Sequence, residues 1–279
     1  MNNLSKRVLS GVVLFSLLVL IIYAASSIDS KIGAYAILFI TLVIYWEFYQ
    51  FFEKKVIGLV FLLSSILVLF FVEVNPNTIP YIVIPSCLTW TLVSIRIIIF
   101  DKPKINSIEL FIFGNLLIFP AFVSAEFIFL NWSPSILLLI LFGVSIADTS
   151  AYFVGKKLGK TQLLANTSPG KTLEGLIGAC IITPILLTLI AFFLDYSFIG
   201  FFLFGLILTP ISFIGDIVFS YVKRSRNKKD SSNLIPGHGG FIDLLDGTIA
   251  VLTFFLVFAL YPTGRVGEII YENFLIYLI

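Results

Sequence analysis

Charged and metal-binding side chains are scarce in this chain, and their scarcity excludes several protein classes at once. Asp, Glu, Lys and Arg make up only 12% of its 279 residues, too few to coat a soluble domain, and no internal repeat or low-complexity tract offers an alternative architecture. The single histidine, His238, cannot build a His-based metal site. The two cysteines, Cys87 and Cys180, both fall in apolar stretches, which excludes a disulfide framework and a Cys-rich metal centre. The formal net charge of +2 is by itself uninformative, and no nucleic-acid partner is expected.

Hydrocarbon fills the chain instead: 59% of the residues are hydrophobic and the mean hydropathy is +1.07. Apolar runs near the length that crosses about 30 Å of bilayer recur throughout. The pattern predicts an all-α polytopic integral membrane protein of about nine transmembrane helices, over 8–26, 32–52, 57–74, 79–100, 108–130, 135–155, 173–194, 198–221 and 245–261. The first run has a basic flank like a signal peptide but no convincing small-residue cleavage site before Asp29, so it is expected to be retained. Of the 18 Lys and Arg residues, only Lys31 and Arg265 fall in loops on one side; the rest, including Lys6, Arg7, Lys54, Lys55, Arg96, Lys102, Lys104, Lys156, Lys157, Lys160 and Lys171, share the other. The positive-inside rule then predicts a cytoplasmic amino terminus and an outside carboxyl terminus. The same loops would lie against anionic headgroups, although fixing topology is explanation enough for Lys54, Lys55, Lys102 and Lys104. Residues 1–105 read as amino-terminal transmembrane helices and 106–279 as a carboxyl-terminal transmembrane region holding most of the polar chemistry, the two forming a single membrane unit.

Within apolar runs, a carboxylate is costly and persists where it faces a cavity, a cation or a basic partner. Glu47, Asp148 and Asp216 meet that description; the plainer reading is that each reaches interfacial water, with Glu47 flanked by Trp46 and Tyr49 as in an aromatic belt. Asp243 and Asp246 are three apart and share a face if a helix begins near Phe241. Two such carboxylates repel unless a cation lies between them, which suits Mg²⁺, whereas capping alone would explain the pair without a metal. The preceding PGHGG turn, with Gly239 and Gly240, could let backbone N–H groups approach an anion, and His238 suits phosphate contact better than ligation. The basic run Lys223, Arg224, Arg226, Lys228, Lys229 reads either as topology-fixing charge or as phosphate binding. The stretch SPGKTLEG contains GKT but is no P-loop, since position 165 is Ala and no strand of an α/β domain precedes it. It reads as a turn feeding a helix capped by Thr167 or Ser168, with Pro169 early in it and Lys171 beside the N-terminus, where an anion would be held.

Ser220, Lys223, Arg224, Lys229, Asp230, Pro236, His238, Gly239, Gly240, Asp243 and Asp246 together resemble the carboxyl-terminal signature of the phosphatidate cytidylyltransferase family, also called CDP-diacylglycerol synthase. Asp148 within ADTSAYFVGKKLGK, and Ser168, Pro169, Lys171, Thr172, Glu174 and Gly175, resemble two further motifs; Arg7 and Glu47 resemble weaker amino-terminal positions. The resemblance is compelling from about residue 143 onward. It implies transfer of a cytidylyl group from CTP to phosphatidate, releasing pyrophosphate. It also implies Mg²⁺, alone or with a second cation, held by Asp216, Asp243 and Asp246, with Asp148 either completing the cation site or orienting a basic residue. Lys223 and His238 join these aspartates as catalytic candidates, and Lys171, Arg224, Lys229, Ser168, Gly239 and Gly240 as substrate-binding candidates. CTP, phosphatidate and the bilayer are the expected partners, with a homodimer left open, at the plasma (inner) membrane of a bacterium with the site facing the cytoplasm. Two departures stand out: Leu244 replaces the family's Arg between the carboxylates, and Gly170 replaces a basic residue. Rival readings are a CTP-dependent transferase or kinase acting on another membrane lipid, and an ion-coupled transporter, which the lack of a repeat disfavours.

Overall fold

A computed structural model describes residues 16, 20, 30–74, 79–131, 133–237 and 239–260. Eight long helices run through the main described segments: α1 (Ser30–Tyr49), α2 (Lys55–Val74), α3 (Ile79–Phe100), α4 (Ser107–Asn131), α5 (Pro134–Leu158), α6 (Leu173–Leu194), α7 (Phe198–Ser225) and α8 (Phe241–Leu260). Among the described residues, 6 helices are long and apolar enough to cross a membrane. The protein is thus an all-α polytopic membrane protein, apart from one small hairpin. The expected span 8–26, and Arg7 before it, lie outside the described residues.

Local chemistry explains where the helices begin and end. Ser133 caps α5 by accepting the Ser135 N–H, Pro134 occupies its first turn, and Lys156 and Lys157 sit at the negative end of its dipole. Ser197 caps α7 through the Gly200 N–H, and α6 ends on Asp195 in the left-handed region at φ 63°. Prolines inside helices are accommodated as bilayer helices allow, with nearby hydroxyls bonding the carbonyls around them: Thr188 Oγ1 donates to Pro184 O at 2.7 Å and Ser124 Oγ to Pro120 O at 2.6 Å. The α4 helix runs through the core, burying Leu110, Leu117, Phe119 and Ile128, while residues such as Leu67, Phe192, Phe193 and Ile199 point outward as lipid-facing side chains do.

The hairpin is the departure from expectation. Gln162–Leu164 (β1) pairs antiparallel with Ser168–Thr172 (β2), so the SPGKT segment is extended where a helical first turn was predicted. Pro169 and Gly170 are poor helix formers, and β1 offers the segment a pairing partner. The cap of α6 is therefore Thr172, whose hydroxyl accepts the Gly175 N–H, not Thr167 or Ser168. Thr167 and Asn166 instead give their N–H groups to the Asp101 carboxylate at 3.0 and 2.8 Å, and Glu174 takes those of Lys160 and Thr161.

Four connections meet at one end of the bundle. Arg226 Nη1 lies 3.1 Å from Glu53 Oε1, and Lys228 Nζ donates to Gln50 O at 3.0 Å. The Tyr221 hydroxyl donates to Lys102 O at 2.8 Å, and Asp101 grips the hairpin. Among the described residues, the basic loops that the sequence assigns to one side are in contact with one another.

Candidate functional site

At that same end, α7 and α8 cross closely. Gly215 makes the approach possible: a Cβ there would sit 2.3 Å from Asp246 O and 2.8 Å from Gly247 Cα. From the next residue onward, Asp216, Ser220 and Lys223 follow at intervals of four and three, so they line one face of α7, and Ser220 Oγ donates to Asp216 Oδ1 at 3.1 Å. Lys223 Nζ reaches across to Asp243 Oδ1 at 2.6 Å, both side chains being under a tenth exposed (9% and 7%). From β2, Lys171 forms an ion pair with Asp216, and its ammonium also lies 4.2 Å from the Phe213 ring centroid.

Asp246 is buried, with its Oδ1 accepting the Gly247 N–H at 2.8 Å, and it lies within electrostatic reach of Asp148, Asp216, Lys171 and Lys223. Asp148, on α5, is open to the surroundings and faces the charges of Asp216 and Lys171. Four carboxylates against two ammoniums leave the cluster formally at −2. Among the described residues, no three His, Cys, Asp or Glu side chains close into a metal cage. Carboxylate oxygens are the donor type a hard cation such as Mg²⁺ takes, one or two of them alongside waters and substrate phosphates.

Asp243 differs from its neighbours in how completely it is occupied. Besides Lys223, its carboxylate accepts the Ser231 N–H at 2.7 Å, the Ser231 hydroxyl at 2.9 Å and the Gly240 N–H at 2.9 Å. The last bond reaches from the third residue of α8 back to its cap, half of a capping box, so the capping role left open by the sequence is present. Gly239, at φ +100°, exchanges two backbone bonds with Ile235 at 2.7 and 3.0 Å. The Gly239 and Gly240 N–H groups are thus committed, the first to Ile235 O and the second to Asp243. His238 lies outside the described residues. Ser168 is half-buried on β2, Lys229 is exposed, and Arg224 Nη1 donates to Lys228 O at 3.0 Å.

Sequence reasoning noticed Glu47 but not its role. Fully buried in α1, it meets neither a cation nor interfacial water among the described residues; it accepts the Phe241 and Ile242 N–H groups, both at 2.9 Å, and the hydroxyls of Ser231 and Ser232 at 3.0 and 2.6 Å. An anion at a helix N-terminus is well placed by dipole and donors alike. Asp101, at φ 36°, holds the hairpin that carries Lys171 and gave no signal beyond a polar residue in a loop.

The cytidylyltransferase family model matches residues 5–261. The phosphatidate cytidylyltransferase of Haemophilus influenzae is 39% identical over 129 residues, 44% of this chain and 45% of that protein. Its counterpart in Bacillus subtilis is 41% identical over 109 residues, 38% of this chain and 40% of the relative. That of Aquifex aeolicus is 37% identical over 113 residues, 40% and 42% respectively. The matched stretch therefore spans less than half the length of each of these relatives. Because the family match runs through every helix that contributes to the Lys171, Asp216, Lys223 and Asp246 cluster, the chain belongs to the cytidylyltransferase family.

Proposed function

We propose that the protein transfers a cytidylyl group from CTP to phosphatidate, forming CDP-diacylglycerol and pyrophosphate. The observation that carries this reading is the pair of Lys–Asp ion pairs set into a cluster of net charge −2, at the bundle end where the basic loops converge. A phosphate oxygen of the acceptor attacks the α-phosphorus of CTP, the bond from that phosphorus to the bridging oxygen of the β-phosphate breaks, and pyrophosphate leaves with the electron pair. The acceptor phosphate is anionic at neutral pH, so no strong general base is required. Lys171 and Lys223 are ammoniums already held in place by Asp216 and Asp243, so they can meet phosphate oxygens with little reorganisation. Asp148, Asp216 and Asp246 would hold Mg²⁺, which when bound supplies charge neutralisation and Lewis acidity at the triphosphate. Asp243, saturated by four donors, orients Lys223 in this scheme. Arg224, Lys229, Ser168 and His238 stand as further substrate contacts.

Nine spans with the amino terminus in the cytoplasm, in a bacterial inner membrane, would set this bundle end toward cytosolic CTP; the loop distribution of Lys and Arg supports that orientation. The deciding experiment is purified protein with CTP, Mg²⁺ and phosphatidate, followed for pyrophosphate and CDP-diacylglycerol. Release of CDP in place of pyrophosphate would identify a kinase. A different acceptor lipid is the second reading, favoured by Leu244, which leaves the stretch between Asp243 and Asp246 without a cation; turnover of a panel of phospholipid and polyprenyl phosphates separates the two.

A further inference from the structure

The 228–234 loop has two faces. One is tied to the acidic cluster through Ser231; the other lines an open pocket of about 550 Å³ against the end of α1. A volume of this order suits a ligand headgroup rather than a whole diacyl lipid. Trp46 and Leu234, each 46% exposed, form its apolar side. Lys228 and Lys229, with Asp230 beside them, form its charged side, two ammoniums against one carboxylate: Lys228 Nζ donates once to Gln50 O and sits 5.2 Å from the Phe51 ring centroid, leaving donors for a ligand, and Lys229 is exposed. An exposed Trp beside two ammoniums, at the end of a membrane helix, is the chemistry of the headgroup layer. Ser231 belongs to both faces: its N–H and hydroxyl bind Asp243, whose other oxygen holds Lys223.

We propose that this pocket seats the phosphomonoester headgroup of the lipid acceptor, Lys228 and Lys229 meeting the phosphate while Trp46 and Leu234 receive the start of the acyl chains. The wall of Trp and Leu favours a lipid over a free nucleotide, and the shared Ser231 ties the pocket wall to Asp243 of the Lys223–Asp243 pair. The assignment rests on the proposed use of a lipid phosphate as acceptor.

Trp46 is itself the reporter. In full-length protein carrying Trp90→Phe and Trp132→Phe, reconstituted in phosphatidylcholine vesicles, brominated phosphatidate should quench Trp46 more strongly than the same amount of brominated phosphatidylcholine. Adding Lys228→Ala and Lys229→Ala should abolish that difference. Equal quenching by the two lipids in the parent, or a preference that survives loss of both lysines, overturns the proposal. Displacement of the preference by inorganic phosphate as readily as by phosphatidate would assign the pocket to free phosphate and overturn the lipid assignment. In the chain with all its tryptophans, the double lysine variant should raise KM for phosphatidate about tenfold and leave KM for CTP unchanged; the opposite split makes it a nucleotide pocket and sinks the proposal. Quenching needs no turnover, so a chain that prefers brominated phosphatidate yet releases no pyrophosphate keeps this site and loses the proposed reaction.

Discussion

Glu47 accepts the backbone N–H of Ile242 at 2.9 Å, joining the first described long helix to the second residue of the last one across 195 positions of sequence. Its other bonds, to Phe241 N and to the hydroxyls of Ser231 and Ser232, make it the cap of α8 and the anchor of the loop before it. Space around it is tight: a Cβ on Gly240 would lie 2.3 Å from Glu47 Oε1.

Replacing Glu47 by Ala leaves two helix N–H groups and the Ser232 hydroxyl without their acceptor in a dry place, while the Ser231 hydroxyl keeps Asp243. The expected loss of stability is about 3 kcal/mol, since each orphaned buried donor costs about 1–3 kcal/mol and some will find water. Glu47→Gln keeps the shape but turns one acceptor into a donor facing donors, so it should lose somewhat less. Thermal unfolding in detergent orders the three proteins wild type, Gln, Ala; a Gln variant as stable as wild type would mean the carboxylate is dispensable.

The Lys223–Asp243 pair lends itself to a double-mutant cycle. With both side chains under a tenth exposed, removal of either partner strands a charge away from water, a change of about 3–5 kcal/mol. Lys223→Met and Asp243→Asn should each be strongly destabilised, and the double variant should be more stable than the sum of the singles predicts. Activity behaves differently: both singles and the double should lose pyrophosphate release, because Lys223 is absent or unheld in each. Strict additivity in unfolding measurements would show that the bond contributes nothing specific.

The helices were legible because a membrane span is a one-dimensional signal: length and hydropathy suffice, and eight of the expected runs coincide with described helices to within a few residues. The face shared by Asp216, Ser220 and Lys223 is equally local, a matter of helical period. The hairpin was not legible, because strands of 3 and 5 residues carry too little alternation to outweigh the pull of a helix start just beyond them. Nor were the partners of Glu47 and Asp101. Both are carboxylates whose donors are backbone N–H and hydroxyl groups far along the chain, and no side-chain pattern records which N–H a fold will leave without a partner. The double occupation of Asp243 was half legible, since a helix beginning near Phe241 left capping open beside the metal reading of the pair, while Ser231 reaches it only through the loop's closure by Ile235 and Gly239.

If Asp148, Asp216 and Asp246 share Mg²⁺, removal of the metal by a chelator should stop pyrophosphate release, and added Mg²⁺ should restore it. Asp246→Asn removes a charge from the most buried of the three, so the Mg²⁺ concentration for half-maximal rate should rise at least about tenfold, the scale on which changes around a metal site act. The fold should tolerate the change well, because Asn keeps the acceptor for the Gly247 N–H and relieves repulsion from Asp148 and Asp216. Rate against Mg²⁺ concentration and Tm, measured on the same samples, separate the two effects. An unchanged Mg²⁺ dependence removes Asp246 from the metal.

Two glycines give a sharper test of how closely α7 and α8 must approach. At Gly215 a methyl group would meet Asp246 O at 2.3 Å, a backbone atom that cannot rotate away, so Gly215→Ala must push α8 outward or bend it. Overpacking of this kind costs about 1–3 kcal/mol, and it moves Asp246 relative to Asp216, so activity should fall further than stability alone explains. At Gly170, in β2, nothing lies within 4 Å of an added Cβ, and Gly170→Ala should change stability by less than about 0.5 kcal/mol. Unfolding midpoints and turnover for both variants decide the matter. Equal behaviour at the two positions would mean that the close crossing of α7 and α8 does not set the geometry of the aspartates.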